Sequence, residues 1–230
     1  MAVNLDKEIF NVIITIMKIK KVMLFCYDFP HKKTQDFLIR LLIEGYKVEY
    51  VIAAPLKKLD IQEPSVHIAP HHIGLIHPKV LCNMLGVTYN TYDHNSQESI
   101  NYVIRHSVDL YIISGARILS SALINASHQR ILNIHPGLLP EMRGLDTLPW
   151  SIYENIPIGI SGHLISQKID GGFLIYKENL SLYYDDTIID VSLRLLEKQS
   201  DILIKSIKQL ETIKTPVRNL DSKKICIILK

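Results

Sequence analysis

Residues 21–55 of this chain read as a strand, an amphipathic helix and a second strand, a succession that restricts the fold more than any other feature. Residues 21–26 are a short apolar run with β-branched and aromatic members, followed by the loop Tyr27-Asp28-Phe29-Pro30-His31. From Thr34 onward Phe37, Leu38, Leu41 and Leu42 recur at helical spacing with Gln35, Asp36, Arg40 and Glu44 opposite them, and Gly45 supplies a stop. Residues 48–54 make the second strand, closed by Pro55. Such a βαβ unit has a right-handed crossover and a parallel sheet. The fold class expected is therefore α/β, a mostly parallel Rossmann-like sheet flanked by helices.

The remaining pattern extends this sheet. Residues 79–85 fit a short helix closed by Gly86, residues 87–89 a strand, and residues 97–106 a helix capped by Ser96. Residues 110–113 form a continuous apolar strand of the kind covered on both faces, and residues 119–126 a short helix. A helix is expected at 147–154, and strands at 158–165 and 173–178 joined by a loop containing Gly171-Gly172. Thr187 and Asp190 resemble a capping box, and Ile188, Val191, Leu195, Leu203, Ile207 and Leu210 form the stripe of a long helix that Thr215-Pro216 ends. Three segments follow: residues 1–20 as an N-terminal helical extension, 21–182 as the catalytic domain, and 183–230 as a C-terminal helix and strand. The apolar helix stripe and the tail at 225–229 point to a homodimer interface.

Composition narrows the setting. With 47% hydrophobic and 21% charged residues the chain supports an ordinary globular core, and its net charge of +3 comes from lysines spread along the sequence, so no nucleic acid partner is expected. Cys26, Cys82 and Cys226 are odd in number and set apart, which reads as reduced thiols and a cytoplasmic location. The apolar stretch at 10–17 has the wrong flanks for a signal peptide, and no run reaches the length of a membrane span. His67, His71, His72 and His77 lie in an irregular segment, but no i/i+4 pair has a flanking carboxylate and Pro70 interrupts the run, so a solvated loop is expected and no metal.

Ile131-Leu132-Asn133-Ile134-His135-Pro136-Gly137-Leu138-Leu139-Pro140 is an apolar strand running into a loop pinned by two prolines. Strand alternation puts Asn133 and His135 on one face, with Leu132 and Ile134 turned into the core. The pair stands at a strand end where open α/β sheets build ligand crevices; a strand end with a satisfied Asn and a loop His has the same pattern. The loop after the first strand has no glycine, so both the dinucleotide fingerprint and the P-loop are absent, and no Gly-x-Ser-x-Gly elbow occurs. The acidic candidate to join the pair is Asp170, ahead of Gly171-Gly172; Asp146, Asp185 and Asp186 read as helix-start residues. An amide, an imidazole and a carboxylate suit direct attack of an external nucleophile on a carbonyl. Asn133 and His135 would donate to the oxyanion, and Asp170 would orient His135 or take the proton of an attacking amine.

Taken together, residues 133–140, Arg143-Gly144, His163 and Asp170-Gly171-Gly172 resemble the 10-formyltetrahydrofolate-dependent formyltransferase family, and Ser114-Gly115-Ala116-Arg117-Ile118-Leu119-Ser120 is similar to its strand and turn beside the folate. The resemblance implies the formyltransferase fold with a small C-terminal helix and strand extension. It also implies 10-formyltetrahydrofolate as formyl donor without a metal, and Asn133, His135 and Asp170 as catalytic residues. The implied folate site comprises Ala116, Arg117, Ile118, Leu119, Leu139, Pro140, Gln167, Lys168 and Ile169, and the implied acceptor site Met142, Arg143, Gly144 and Trp150. Gly137 stands where many members carry serine, a difference expected to be tolerated.

Departures from the family bear on the acceptor. Glycinamide ribonucleotide enzymes carry a Gly-rich phosphate loop where this chain has Cys26-Tyr27-Asp28-Phe29-Pro30. Enzymes acting on initiator methionyl-tRNA add a C-terminal β-barrel, for which the residues after Glu178 are too few, and formyltetrahydrofolate hydrolases add an N-terminal regulatory domain. The branch left is the sugar N-formyltransferases, with a formyltransferase for another small amine acceptor, glycinamide ribonucleotide-like, or a non-catalytic folate- or nucleotide-binding protein on the same fold as the alternatives. The expected acceptor is a nucleotide-linked amino sugar, such as a dTDP-linked 4-amino-4,6-dideoxyhexose for bacterial O-antigen or lipopolysaccharide. Trp150, Tyr153, Tyr183 and Tyr184 are candidates to stack on the nucleotide or sugar, and Arg143, Lys168 and Lys177 to meet its pyrophosphate.

Overall fold

In the computed structural model, residues 18–57, 74–212 and 218–221 are described. The N-terminal helix expected before residue 18 lies outside them, as do His67, His71, His72, Cys226 and the tail at 225–229. β1 (Lys21–Tyr27) and β2 (Lys47–Ala54) pair in parallel through α1 (Lys32–Ile43), the expected βαβ unit. β3 (Thr88–Thr91) adds outside β2, β4 (Leu110–Ile113) pairs with the other edge of β1, and β5 (Ile131–His135) pairs with β4, all in parallel. Beyond β5 the direction reverses. β6 (Gly159–Leu164), β7 (Phe173–Asn179) and β8 (Arg218–Asn219) are antiparallel additions, giving one sheet in the order β3-β2-β1-β4-β5-β6-β7-β8.

Helices cover both faces, which is why β1 and β4 carry uninterrupted apolar runs; between α1 and the last helix the chain forms α2 (Pro78–Leu85), α3 (Gln97–Arg105), α4 (Ser121–Ala126) and α5 (Thr147–Tyr153). Alternate residues of each strand divide between two cores. Leu24, Leu132 and Ile134 join Phe37, Leu38 and Leu41 of α1 on one side, while Phe25, Tyr111 and Ile131 join Leu123 and Ile124 of α4 on the other. Each fully buried Leu or Ile contributes ~1.5–3 kcal/mol relative to exposure, so slipping β5 by one residue would cost several such terms at once. That penalty holds Asn133 and His135 on the α4 side of the sheet.

Two details of α1 and α6 (Ile188–Thr212) differ from the sequence expectation. α1 starts at Lys32, and Thr34 is buried within its first turn, where its hydroxyl meets His31 Nδ1 at 2.9 Å. α6 begins with the expected box: Thr187 N donates to Asp190 Oδ2 at 2.8 Å, and Asp190 N donates to Thr187 Oγ1 at 3.3 Å. Its stripe, however, is covered within the chain. Val191, Leu195, Leu203, Ile207 and Leu210 share one core with Leu24 and Leu132. The apolar face expected to meet a second subunit lies against the chain's own sheet. No helix among the described residues is long and apolar enough to cross a membrane.

Candidate active site

The site forms where β5 runs out beside β6. Antiparallel pairing sets Asn133 opposite His163 and His135 opposite Ser161, so the side chains of two strands meet on one face. His163 is fully buried, and its Nδ1 lies 2.8 Å from the Gly171 carbonyl. A carbonyl only accepts, so Nδ1 carries the hydrogen and Nε2 presents a lone pair. Asn133 Nδ2, 3.2 Å away, donates to that lone pair, which fixes the orientation of the amide and leaves its second N–H for another acceptor. Burial holds His163 well below the ordinary imidazole range, in the neutral form this relay needs.

His135 has a different pair of neighbours. Its Nε2 donates to the Met142 carbonyl at 3.0 Å, and its Nδ1 stands 3.6 Å from Asp170 Oδ1. The other carboxylate oxygen accepts from Gly144 N at 2.7 Å. In the neutral ring, Nδ1 is bare and faces an acceptor-only carboxylate, which makes a seat for one proton. Burial lowers the affinity of His135 for that proton; Asp170 and the Met142 carbonyl raise it, and Lys33 and Arg143 lower it. With Nε2 committed to Met142, His135 has no N–H left to donate to an oxyanion, and of the two expected donors Asn133 alone retains one.

The backbone that carries these groups is closely constrained. Asp170 adopts a left-handed conformation with φ 45°, one that Asp tolerates better than most residues. Gly172 has φ 93°, and a Cβ there would lie 2.0 Å from the Leu164 carbonyl oxygen, so the loop turns only with glycine. A Cβ on Gly137 would come within 2.9 Å of His135 Nε2 and 3.0 Å of the Met142 carbonyl oxygen. Any side chain at position 137 would therefore push on the His135 imidazole. Asp221 Oδ1 accepts from Gly172 N at 2.9 Å and closes the Asp170 loop from outside.

Two loops of the implied site are brought together, 136–144 and 166–172. Leu139 and Pro140 are buried and joined by a cis peptide, with Leu139 N donating to Ser161 Oγ at 2.9 Å; Gln167 and Lys168 are exposed. The 114–120 segment follows β4, parallel to β5, and so opens at the same sheet edge. There Tyr27 OH donates to the Ala116 carbonyl at 2.9 Å, and Arg117 donates to Lys57 O at 3.1 Å from a position 5.8 Å over the Tyr27 ring. Ile118 is 72% exposed, whereas Leu119 belongs to the core.

The acceptor candidates fare unevenly. Met142 is buried and acts on His135 through its carbonyl, and Gly144 acts on Asp170 through its amide. Arg143 is buried and donates to Ile169 O at 3.2 Å and Leu220 O at 2.7 Å, so its charge is used inside the protein to tie the Asp170 loop to the terminal segment. Trp150 packs edge-on to Tyr153, Lys168 Nζ donates to Asp221 O at 3.0 Å, and Lys177 Nζ lies 3.5 Å from Glu141. Tyr183 lies under the Arg194 guanidinium, and Tyr184 is fully exposed. His163 orients Asn133 beyond its place in the motif, and Asp221 and Lys33 join the site through backbone contacts that no local sequence pattern marks. No group of His, Cys, Asp or Glu among the described residues is arranged to hold a metal ion.

Residues 77–207, which include β5, β6 and the Asp170 loop, match the family described as Formyl transferase. The chain belongs to the formyl transferase family. Among curated members, the methionyl-tRNA formyltransferase of Chlorobium limicola is 25% identical over 134 residues, covering 58% of this chain and 42% of its own length. The chain thus spans less than half of that relative. Among solved members, glycinamide ribonucleotide transformylase 1 from Symbiobacterium toebii superposes with a TM-score of 0.65 at 21% identity, covering 88% of this chain and 95% of the other. A sugar N-formyltransferase from a Shewanella species gives 0.61 at 21% identity, covering 91% and 77%. At these identities the superpositions establish the shared fold.

Proposed function

We propose that the chain transfers the formyl group of 10-formyltetrahydrofolate to the amine of a nucleotide-linked amino sugar. The observation that carries the reading is the assembly of Asn133, His135 and Asp170 at one strand end within the family-matched region, with a proton seat between the last two. Folate suits the surroundings: loops 114–120 and 136–140 offer backbone polar groups beside apolar side chains, with Ile118 exposed and Leu139 and Pro140 buried. When bound, 10-formyltetrahydrofolate supplies the formyl carbonyl.

The chain's own residues then divide the work. The free N–H of Asn133, its amide held by His163, donates to the oxygen on which negative charge develops, a contribution of ~10²–10³ in rate for one such donor. The His135–Asp170 pair receives the proton that the attacking amine loses as its nitrogen bonds to the formyl carbon, and returns it to the donor nitrogen whose bond to that carbon breaks, worth ~10²–10⁴. Met142 and Gly144 hold that pair through their backbone. The acceptor class is supported by the loop after β1. In place of a glycine phosphate cradle it carries Tyr27 and Phe29 stacked at 5.0 Å, with Arg117 over Tyr27, an aromatic and cationic edge that suits a nucleotide-linked sugar.

The test incubates the protein with 10-formyltetrahydrofolate and a panel of thymidine- and uridine-linked amino sugars together with glycinamide ribonucleotide, reading product by mass spectrometry. A formylated amino sugar is the expected result. Formylation of glycinamide ribonucleotide would reassign the acceptor, and absence of any formylated product would overturn the reading.

A further inference from the structure

Lys33 lies in the first turn of α1, where a lysine ordinarily reaches into solvent. Here its Nζ turns inward, passes 5.3 Å from the Phe37 ring, and donates to the carbonyl of Ile134 at 2.7 Å. Ile134 is the residue between Asn133 and His135. The β4–β5 ladder ends opposite Asn133, so the ammonium holds the stretch of β5 that runs past its neighbour. Lys32 next to it is paired with Asp36, while Lys33 is in no ion pair among the described residues. Burial brings its pKa down to about 8, and Asp170 opposes that fall.

The groups facing His135 are Asp170, Lys33, Arg143 and His163. Arg143 is held away on the carbonyls of Ile169 and Leu220, and His163 is neutral. Lys33 is therefore the cation that bears on the proton seat from the α1 side of the sheet. We propose that Lys33 is a positioning residue of the formyl-transfer centre: its ammonium clamps the Ile134 carbonyl between Asn133 and His135 and sets a positive charge one peptide away from the imidazole, so that both side chains keep their place for the acceptor amine. This assignment rests on the formyl-transfer reading above.

Two variants separate clamp from charge. Lys33→Met keeps the stem against Phe37 and removes both; Lys33→Gln keeps a donor for the Ile134 carbonyl and removes the charge alone. In NMR titrations of the full chain without substrate, His135 is expected to protonate at higher pH in both variants, because a like charge has gone. With 10-formyltetrahydrofolate and the acceptor, kcat at neutral pH falls about ten-fold in Lys33→Met, the size expected for one charge-assisted hydrogen bond. The acid limb of the rate profile moves to higher pH in both variants, KM for the folate is unchanged, and Lys33→Arg restores the rate. An unmoved His135 titration in folded Lys33→Met and Lys33→Gln overturns the role of Lys33, whereas a wild-type chain that formylates nothing overturns the formyl-transfer reading.

Discussion

His135 and His163 stand on neighbouring strands with ring centroids 6.4 Å apart, both buried, both depressed in proton affinity by burial, and yet equipped for opposite duties. His163 meets a carbonyl acceptor on Nδ1 and an amide donor on Nε2, so the neutral ring satisfies both neighbours and a proton would break one bond. His135 meets a carbonyl on Nε2 and a carboxylate on Nδ1, so the neutral ring leaves one position open. Burial alone does not make a histidine catalytic. What distinguishes the two is whether the second nitrogen faces a donor or an acceptor.

The largest expected effect comes from closing the open position. Asp170→Asn keeps an oxygen for Gly144 N but turns an amide toward His135 Nδ1, filling the seat with a hydrogen bond; kcat should fall by ~10²–10⁴ with the fold retained, and near-full turnover would remove the pair from the mechanism. Asn133→Ala removes the oxyanion donor itself, with a loss of ~10²–10³ in kcat. His163→Phe removes only the group that aims that donor. Its effect on kcat should be about 2- to 10-fold, the value of one neutral hydrogen bond, and His163→Gln, which can accept from Asn133, should recover part of it. A His163→Phe loss as deep as that of Asp170→Asn would erase the distinction between the two rings.

A smaller effect is expected next to His135 alone. Gly137→Ala forces a Cβ against the imidazole and the Met142 carbonyl, so it should lower unfolding stability by ~1–3 kcal/mol and reduce turnover, measured by denaturant titration and steady-state kinetics. The smallest is shared by both rings. Their folded pKa values lie below the ordinary imidazole value near ~6.5, so the unfolded chain binds more protons as pH falls through that point. The contribution present at neutral pH is then lost on acidification, by up to ~1.4 kcal/mol per pH unit for each ring. Thermal melting followed from neutral to mildly acidic pH checks the sign; a melting temperature that rises over that range would refute the burial argument.

The parts legible in the sequence were those governed by local period. The βαβ unit followed from apolar spacing at residues 21–54, and the shared face of Asn133 and His135 from strand alternation. Asp170 stood out by its place ahead of Gly171-Gly172 and by resemblance, but its approach to His135 depends on antiparallel pairing of β5 with β6 and on the turn at Gly172, neither of which leaves a periodic mark. Arg143 and Lys33 show the same limit from the other side. A basic residue in a loop or a first helical turn looks solvated, and only the fold reveals that both charges are spent on interior carbonyls. The stripe of α6 was visible as an apolar face, but nothing in its spacing says whether that face is covered by its own sheet or by another chain.

Nitrogen NMR of the two imidazole rings, followed from mildly alkaline to mildly acidic pH in wild type and Asp170→Asn, tests the account most directly. His163 is expected to remain the neutral Nδ1–H form throughout. His135 begins as the Nε2–H form, gains its second proton on Nδ1 in wild type, and resists doing so in Asp170→Asn. Rings that titrate together, or a His135 unaffected by the loss of the carboxylate, would contradict it.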